Sequence, residues 1–581
     1  MNFWAFLSNQ ITACLIDDKG DIVWWTVPRF DGFPVFAKLL DGERGGSLSL
    51  KVNPEKVVQE YIYPNVLQTV IKTMDGKVTI NDVMPLGESS IIRQIETDFP
   101  VKINVSPTFN YGLYTPIEVE VRDGARFVNP LGDDCLAVVF FGQHKRTGRN
   151  EWIVKGKVKL YLNYSTGKEL GVISKRIKIG SLDVDNSFDM TVSFWSKLTT
   201  GNRLIDASIG TIYGLIFRPS GSVIAAPTTS LPEVVGGKRN WDYRFVWVRD
   251  ASIIAEALLQ IGEIPQARRI LSFLFGVINF SAKPFFHPLY SVDGGEPPPE
   301  KEIAWLTGYK NSQPVRVGNA ASTQVQLDIE GFFVWSVRKL YEITQDKVYM
   351  WEYTDQLEHI ADWVSNFWEL KDASLWEERG EPKHYTHSKA MMWIALDSSG
   401  RILDSLGIRD RWGEARTKIR EWILSNCVYD GYLVRYPGSK EVDIALAMLP
   451  LYGFIDVRDP IFIKTLHKIE EDLVVDGFVK RYRKDFMGEA KHPFTLGSGV
   501  LARIYLRLGE LSKAEKLLSN LIRASGSLGL IGEHYDTENK LFTGNFPQGF
   551  SHAELLMALK EYEAIAGKQA VLKLASGDNS N

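Results

Sequence analysis

Two different periods divide the chain. Over the first ~200 residues the apolar positions come in short, β-branched runs punctuated by turn residues, which is the signature of strands. Val66 to Lys72 and Lys77 to Val83 flank Asp75-Gly76, a strong hairpin signal. Further runs at Ile22 to Thr26, Val57 to Ile62, Ile92 to Thr97, Val101 to Val105, Leu136 to Phe141, Val158 to Leu162, Ile173 to Lys178 and Phe188 to Trp195 predict more strands. Strands without intervening helices predict a packed pair of antiparallel sheets.

From about Ala207 the apolar residues recur at helical spacing. Ile254, Leu258 and Ile261 form a stripe that Gly262 ends; Pro265 then opens the next helix, with Ile270, Leu271 and Leu274 on its face. The same period predicts helices near Ile209 to Phe217, Gln324 to Tyr341, Tyr349 to Phe367, Lys389 to Leu396, Ala415 to Leu424 and Val442 to Leu451. It continues through Ile461 to Glu470, Val500 to Tyr505, Ala514 to Leu521 and Ala553 to Tyr562. About twelve helices joined by alternating short turns and long loops predict stacked hairpins, open or closed into a ring. The absence of a fixed repeat argues against an open solenoid, and so against a helical-hairpin binding scaffold. The predicted organisation is a β-sandwich over 1–203, a helical domain over 204–570 and a frayed tail over 571–581.

Composition narrows the function. The 67 basic and 71 acidic residues give a net charge of −4 with no basic block, which argues against a nucleic-acid partner or polybasic membrane attachment. No stretch approaches 18 uninterrupted apolar residues, so no transmembrane helix is expected, and the N-terminus lacks the marks of a secretory signal. Three widely spaced cysteines suit a reducing, cytoplasmic setting. Eleven of the 16 tryptophans fall between Trp241 and Trp422, which suits either a large core or a pocket walled by flat rings.

Three segments carry candidate chemistry. Asn240 to Asp250 places Tyr243, Trp247, Arg249 and Asp250 at a helix entrance, where planar donors and acceptors could grip a polyhydroxylated ring. Leu375-Trp376-Glu377-Glu378 sets two adjacent carboxyls beside an indole, a combination expected to raise one pKa and make a general acid. Glu533, in Gly532-Glu533-His534-Tyr535-Asp536, supplies a second carboxyl 156 residues further on; helices closing into a ring would bring the two loops to one face. No phosphate-binding glycine loop, dinucleotide fingerprint or nucleophile elbow is present. Histidine spacing gives no recognised metal pattern, so no metal is expected.

Together these segments resemble glycoside hydrolase family 15. The resemblance runs in order through Asp21 to Trp25, Pro28-Arg29-Phe30-Asp31, Ala226 to Glu233, Asn240 to Ser252, Pro314 to Ala320, Glu377 to Lys389 and Glu533 to His552. It implies an N-terminal β-sandwich and an (α/α)6 barrel that hydrolyses an α-glucoside exo-wise, with inversion and without a cofactor. It implies that Glu377 is the general acid and Glu533 the general base; on physical grounds, Tyr535 or nearby donors could keep that base ionised. Tyr243, Trp247, Arg249 and Asp250 would hold the terminal glucose, with Leu375, Trp376 and Glu378 beside it. Arg435 resembles another sugar-binding arginine, and Tyr309 and Arg316 would border the leaving group. The Trp-x-x-x-Pro-Arg-Phe-Asp segment looks like the archaeal and mycobacterial trehalase branch. The implied substrate is therefore trehalose, with an α-glucan as the glucoamylase alternative; self-association stays open. The extended link from Pro219 to Tyr243 suggests that N-terminal loops complete the pocket.

Overall fold

The computed structural model describes residues 4–166, 183–278 and 286–576. The predicted strand at Ile173 to Lys178 lies outside the described residues. Thirteen antiparallel strands between Ala5 and Ser165 build the N-terminal sheet structure. The expected pair of sheets is hydrogen-bonded into one branched set, because one strand serves both leaves. The two predicted runs at 92–97 and 101–105 are a single 17-residue strand, Ser90–Ser106. Along one edge its first half pairs with Gly76–Val83 and its second half with Ser47–Lys51. Glu151–Ser165 pairs along the other edge.

The expected strand at Phe188 to Trp195 is a helix, Val184–Ser196. Its β-branched and aromatic residues suggested a strand, but Val184, Phe188, Thr191, Val192 and Trp195 repeat at helical spacing. The Asp183 carboxylate accepts from the Asn186 amide as an N-cap and fixes the start.

The helices close into a ring. Val248–Gln260 packs on Ile329–Thr344, which packs on Thr386–Ser405; the short 3-10 turn Ile444–Met448 follows. Thr495–Leu508 and Gly549–Ala566 complete the circle, the last packing back on the first. Six outer helices cover this ring: Arg203–Leu215, Ile264–Val277, Thr354–Phe367, Gly413–Asn426, Pro460–Leu473 and Leu511–Ala524. This is an (α/α)6 barrel, as expected. The inner helices are buried nearly all round, Thr386–Ser405 including its Lys389. Their close approach needs small residues: a Cβ on Gly331 would lie 2.4 Å from the Met391 carbonyl oxygen.

Three helical expectations change in detail. Val442 to Leu451 shortens to the turn Ile444–Met448, with Pro450 just beyond it. Gln324 to Tyr341 begins only at Ile329. Tyr349 to Phe367 is two helices, Lys347–Glu352 and Thr354–Phe367. The expected frayed tail is also corrected in part. Lys568–Ser576 is a helix that packs on the preceding one, because Val571 and Leu574 find apolar cover. No helix among the described residues is long and apolar enough to cross a membrane.

Candidate active site

The N-terminal ends of three inner helices open on one pocket. Trp247, Arg249 and Asp250 begin Val248–Gln260, Phe494 and Leu496 begin Thr495–Leu508, and Gln548 and Phe550 begin Gly549–Ala566; all line it. Helix N-termini carry partial positive charge, so this end of the barrel suits carboxylates. Tyr243, Leu375, Trp376, Glu377, Arg481 and Glu533 complete the wall. Eight of the residues singled out in the sequence, from Tyr243 to Glu533, thus meet at one place.

Glu377 sits in the turn after Trp376 with φ +56°, a left-handed backbone that is uncommon for a non-glycine residue. Three donors converge on its Oε1: Trp247 Nε1 at 2.5 Å, and Arg249 Nη2 and Gln326 Nε2 both at 3.2 Å. Oε2 is left as the oxygen available to carry a proton. Arg249 is itself fixed by Gln326 and Asp328, both at 3.0 Å. The adjacent Glu378 does not crowd Glu377 as expected. It turns away from the pocket and pairs with the Arg435 guanidinium. Asp250 is buried, and burial pushes its carboxyl up to about 7.

Glu533 is more deeply set. Tyr243 Oη donates to its Oε1 at 2.6 Å, and the Tyr243 ring lies edge-on to Trp247, centroids 5.4 Å apart. One segment, the five residues from Tyr243 to Trp247, therefore touches both carboxyls. Tyr535, the donor expected from sequence, packs instead among Phe478 and Phe542. Room for Glu533 depends on Gly544, where φ is +78° and a Cβ would lie 2.4 Å from Glu533 Oε2. Burial first, and then the charge of Glu233, push the Glu533 carboxyl up to about 8. Burial and Glu233 thus favour the protonated form of Glu533, where the sequence reading expected an ionised base.

Behind Glu533 lie Glu233 and His534. Glu233 bonds Arg481 Nη2 at 2.6 Å. Burial opposes its charge, but Arg481, with Arg239, outweighs burial and holds its carboxyl below the ordinary range. Among the described residues, Glu233, Glu533 and His534 bring ligand-type atoms within 4.8 Å of one another. The Arg481 guanidinium already supplies the positive charge that this group needs.

Four expected residues sit elsewhere. Glu378 and Arg435 form a buried pair behind Trp376, with the guanidinium 4.2 Å from the Tyr482 ring centroid. Arg435 also donates to the Lys484 carbonyl at 3.0 Å, and Trp376 Nε1 is held by Asp443 at 2.9 Å. Tyr309 packs edge-on against Trp4, 5.6 Å between centroids, away from the pocket wall. Arg316 stacks over Trp241 at 4.6 Å and bonds the carbonyls of Lys238 and Asn240. Conversely, Arg481, Gln326, Gln548, Phe494 and Leu496 were not identified from sequence as site residues. Arg481 lies inside the charged run Lys480 to Asp485, which reads as a solvated face.

Among the described residues, none of the N-terminal sheet or its loops lines the pocket, contrary to the expectation for those loops. The sheet buttresses the segment that does. Arg244, buried between Tyr243 and Phe245, donates to the Gly32 carbonyl at 2.5 Å and to Tyr111 Oη at 3.0 Å. Trp24 Nε1 donates to the Pro227 carbonyl at 2.8 Å.

Comparison with known proteins places this architecture. The profile of glycosyl hydrolases family 15 matches residues 200–560, and that of a trehalase-like N-terminal domain matches residues 1–131. The chain is 50% identical to Trehalase 1 of Sulfolobus acidocaldarius over 565 residues, 97% of this chain and 99% of that one. It is 30% identical to a trehalase of Thermoplasma volcanium over 616 residues, 100% of this chain and 95% of that one. Its fold is similar to a bacterial glucoamylase solved with acarbose, with a TM-score of 0.73 at 13% identity over 99% of this chain and 95% of that one. A two-carboxyl pocket at the mouth of an (α/α)6 barrel, and a profile match across that whole barrel, lead to one conclusion: the chain belongs to glycosyl hydrolases family 15 and is a glycoside hydrolase.

Proposed function

We propose that the protein hydrolyses α,α-trehalose to two glucoses with inversion, through Glu377 as general acid and Glu533 as general base. The observation that carries this reading is the pairing of the two carboxyls across one pocket, each held by a donor from Tyr243 or Trp247. An inverting glycosidase needs such a pair, spaced by about 6.5–9.5 Å to admit a water. Glu377 gives a proton from Oε2 to the glycosidic oxygen. Glu533 takes one from the water, whose oxygen bonds to the anomeric carbon on the opposite face. Arg249 and Asp250 bind hydroxyls of the cleaved glucose, and Tyr243, Trp247 and Trp376 cover its apolar faces. The N-terminal sheet serves as a brace for the barrel loops.

Trehalose is the favoured substrate because the near-full-length relatives at 50% and 30% identity are trehalases. The likeness to glucoamylase is one of fold. Glucose release from trehalose, maltose and maltoheptaose by the purified protein tests the choice. Trehalose is expected to be cleaved fastest; faster release from the maltose series would make the enzyme a glucoamylase.

A further inference from the structure

His534 follows the base directly and has no place in the mechanism above. It is buried, with its side chain 3% exposed. Its Nδ1 lies 3.4 Å from the His492 carbonyl oxygen, which can only accept, so Nδ1 carries the hydrogen. Nε2 is then a lone pair, and it has no hydrogen-bond partner among the described residues. It points between two carboxyls, 3.8 Å from Glu233 Oε2 and 3.9 Å from Glu533 Oε2. A buried acceptor without a donor is costly, so one of the two must offer a proton.

Glu233 does not, because Arg481 at 2.6 Å keeps it ionised. Glu533 does. Its Oε1 accepts from Tyr243, so its proton belongs on Oε2, the oxygen nearer the imidazole. The separation exceeds a direct hydrogen bond, and a small carboxyl rotation or a bridging water closes it.

We propose that His534 is a positioning residue for the general base: its neutral Nε2 accepts the proton that Glu533 carries on Oε2. This inference rests on the reading of Glu533 as base. In turnover the proton leaves the attacking water for the Glu533 carboxylate, the hydroxide oxygen bonds to the anomeric carbon, and Glu377 protonates the departing oxygen. His534 receives no proton outright; it orients the one on Oε2 and strengthens the base. The charged and titratable groups that face it are Glu233 and Arg481, Glu533 in the chain, and His492 with its neighbour Asp536. Burial, foremost among their effects, pushes the imidazole down to about 3, which suits a neutral acceptor.

The test compares wild type, His534→Phe and His534→Gln, with Glu533→Gln as the control for the underlying reading. The phenyl ring keeps the packing against Phe494 and removes the acceptor. His534→Phe is expected to lower kcat about tenfold with little change in KM. It should also move the alkaline limb of kcat/KM about one pH unit lower, because Glu533 then holds its proton less tightly. His534→Gln, which restores an acceptor oxygen, should recover part of both. Unmoved limbs in both variants would overturn the role. Nitrogen-15 NMR of the imidazoles in the intact wild-type enzyme gives a second reading that needs no variant. A neutral Nδ1–H tautomer from about pH 5 to 8 is expected; an imidazolium there would overturn the proposal. An active Glu533→Gln would instead overturn the assignment of the base.

Discussion

The two carboxyl groups facing the pocket are built on opposite terms. Glu377 stands on a strained turn, its side chain 19% exposed, with three donors on one oxygen. Glu533 is 3% exposed, with one donor and a second carboxyl, Glu233, close behind it. The contrast teaches that position in the fold, not the local run of acids, sets the two environments. Three glutamates within five positions suggested mutual repulsion around Glu377. Instead Arg435 draws Glu378 away, and the carboxyl that feels an acidic neighbour is Glu533, through a glutamate 300 residues earlier in the chain.

The sharpest way to break the comparison is to neutralise each pole. Glu377→Gln and Glu533→Gln should each lower kcat by at least about a thousandfold and leave the thermal midpoint nearly unchanged. A smaller loss at one pole, measured on trehalose, would mean that it is not half of the catalytic pair. The next effect is on stability. Arg435→Ala leaves Glu378 buried and unpaired, which should cost about 3–5 kcal/mol of folding free energy. Chemical denaturation checks this; a raised KM in a fully stable variant would return Arg435 to the sugar-binding set.

A milder test uses pH. In the proposed mechanism the pair works with one proton shared between its members, and Glu533, pushed up to about 8, is the member that favours holding it. A raised carboxyl pKa means that the proton is present below that value and lost above it. The free-enzyme profile, kcat/KM, should therefore fall as pH rises through about 8. A profile still rising there would show that the pair gains its active state by losing that proton.

Much of this site was legible in the chain because its pieces are local. Tyr243, Trp247, Arg249 and Asp250 lie on one helix entrance, and Trp376 and Glu377 on one turn, so a short window displays their chemistry. The ring of helices was legible through its period. What escaped depends on pairings across the ring. Arg481 sits in a charged run with no local sign of a role, and only the fold sets it beside Glu233. Arg435 looked like a ligand for sugar until Glu378 and Tyr482 enclosed it. Tyr309 lies in a long loop whose path no period reports, and it ends against Trp4 of the N-terminal sheet. The helix Val184–Ser196 was misread for a different reason: residue type suggested a strand while spacing dictated a helix.

Proton NMR of the products in the first seconds of trehalose cleavage tests the two-carboxyl mechanism most directly. Inversion at one glucose and simple departure of the other predict equal amounts of β- and α-glucose before mutarotation. Two equivalents of α-glucose would mean retention, and would contradict the roles given to Glu377 and Glu533.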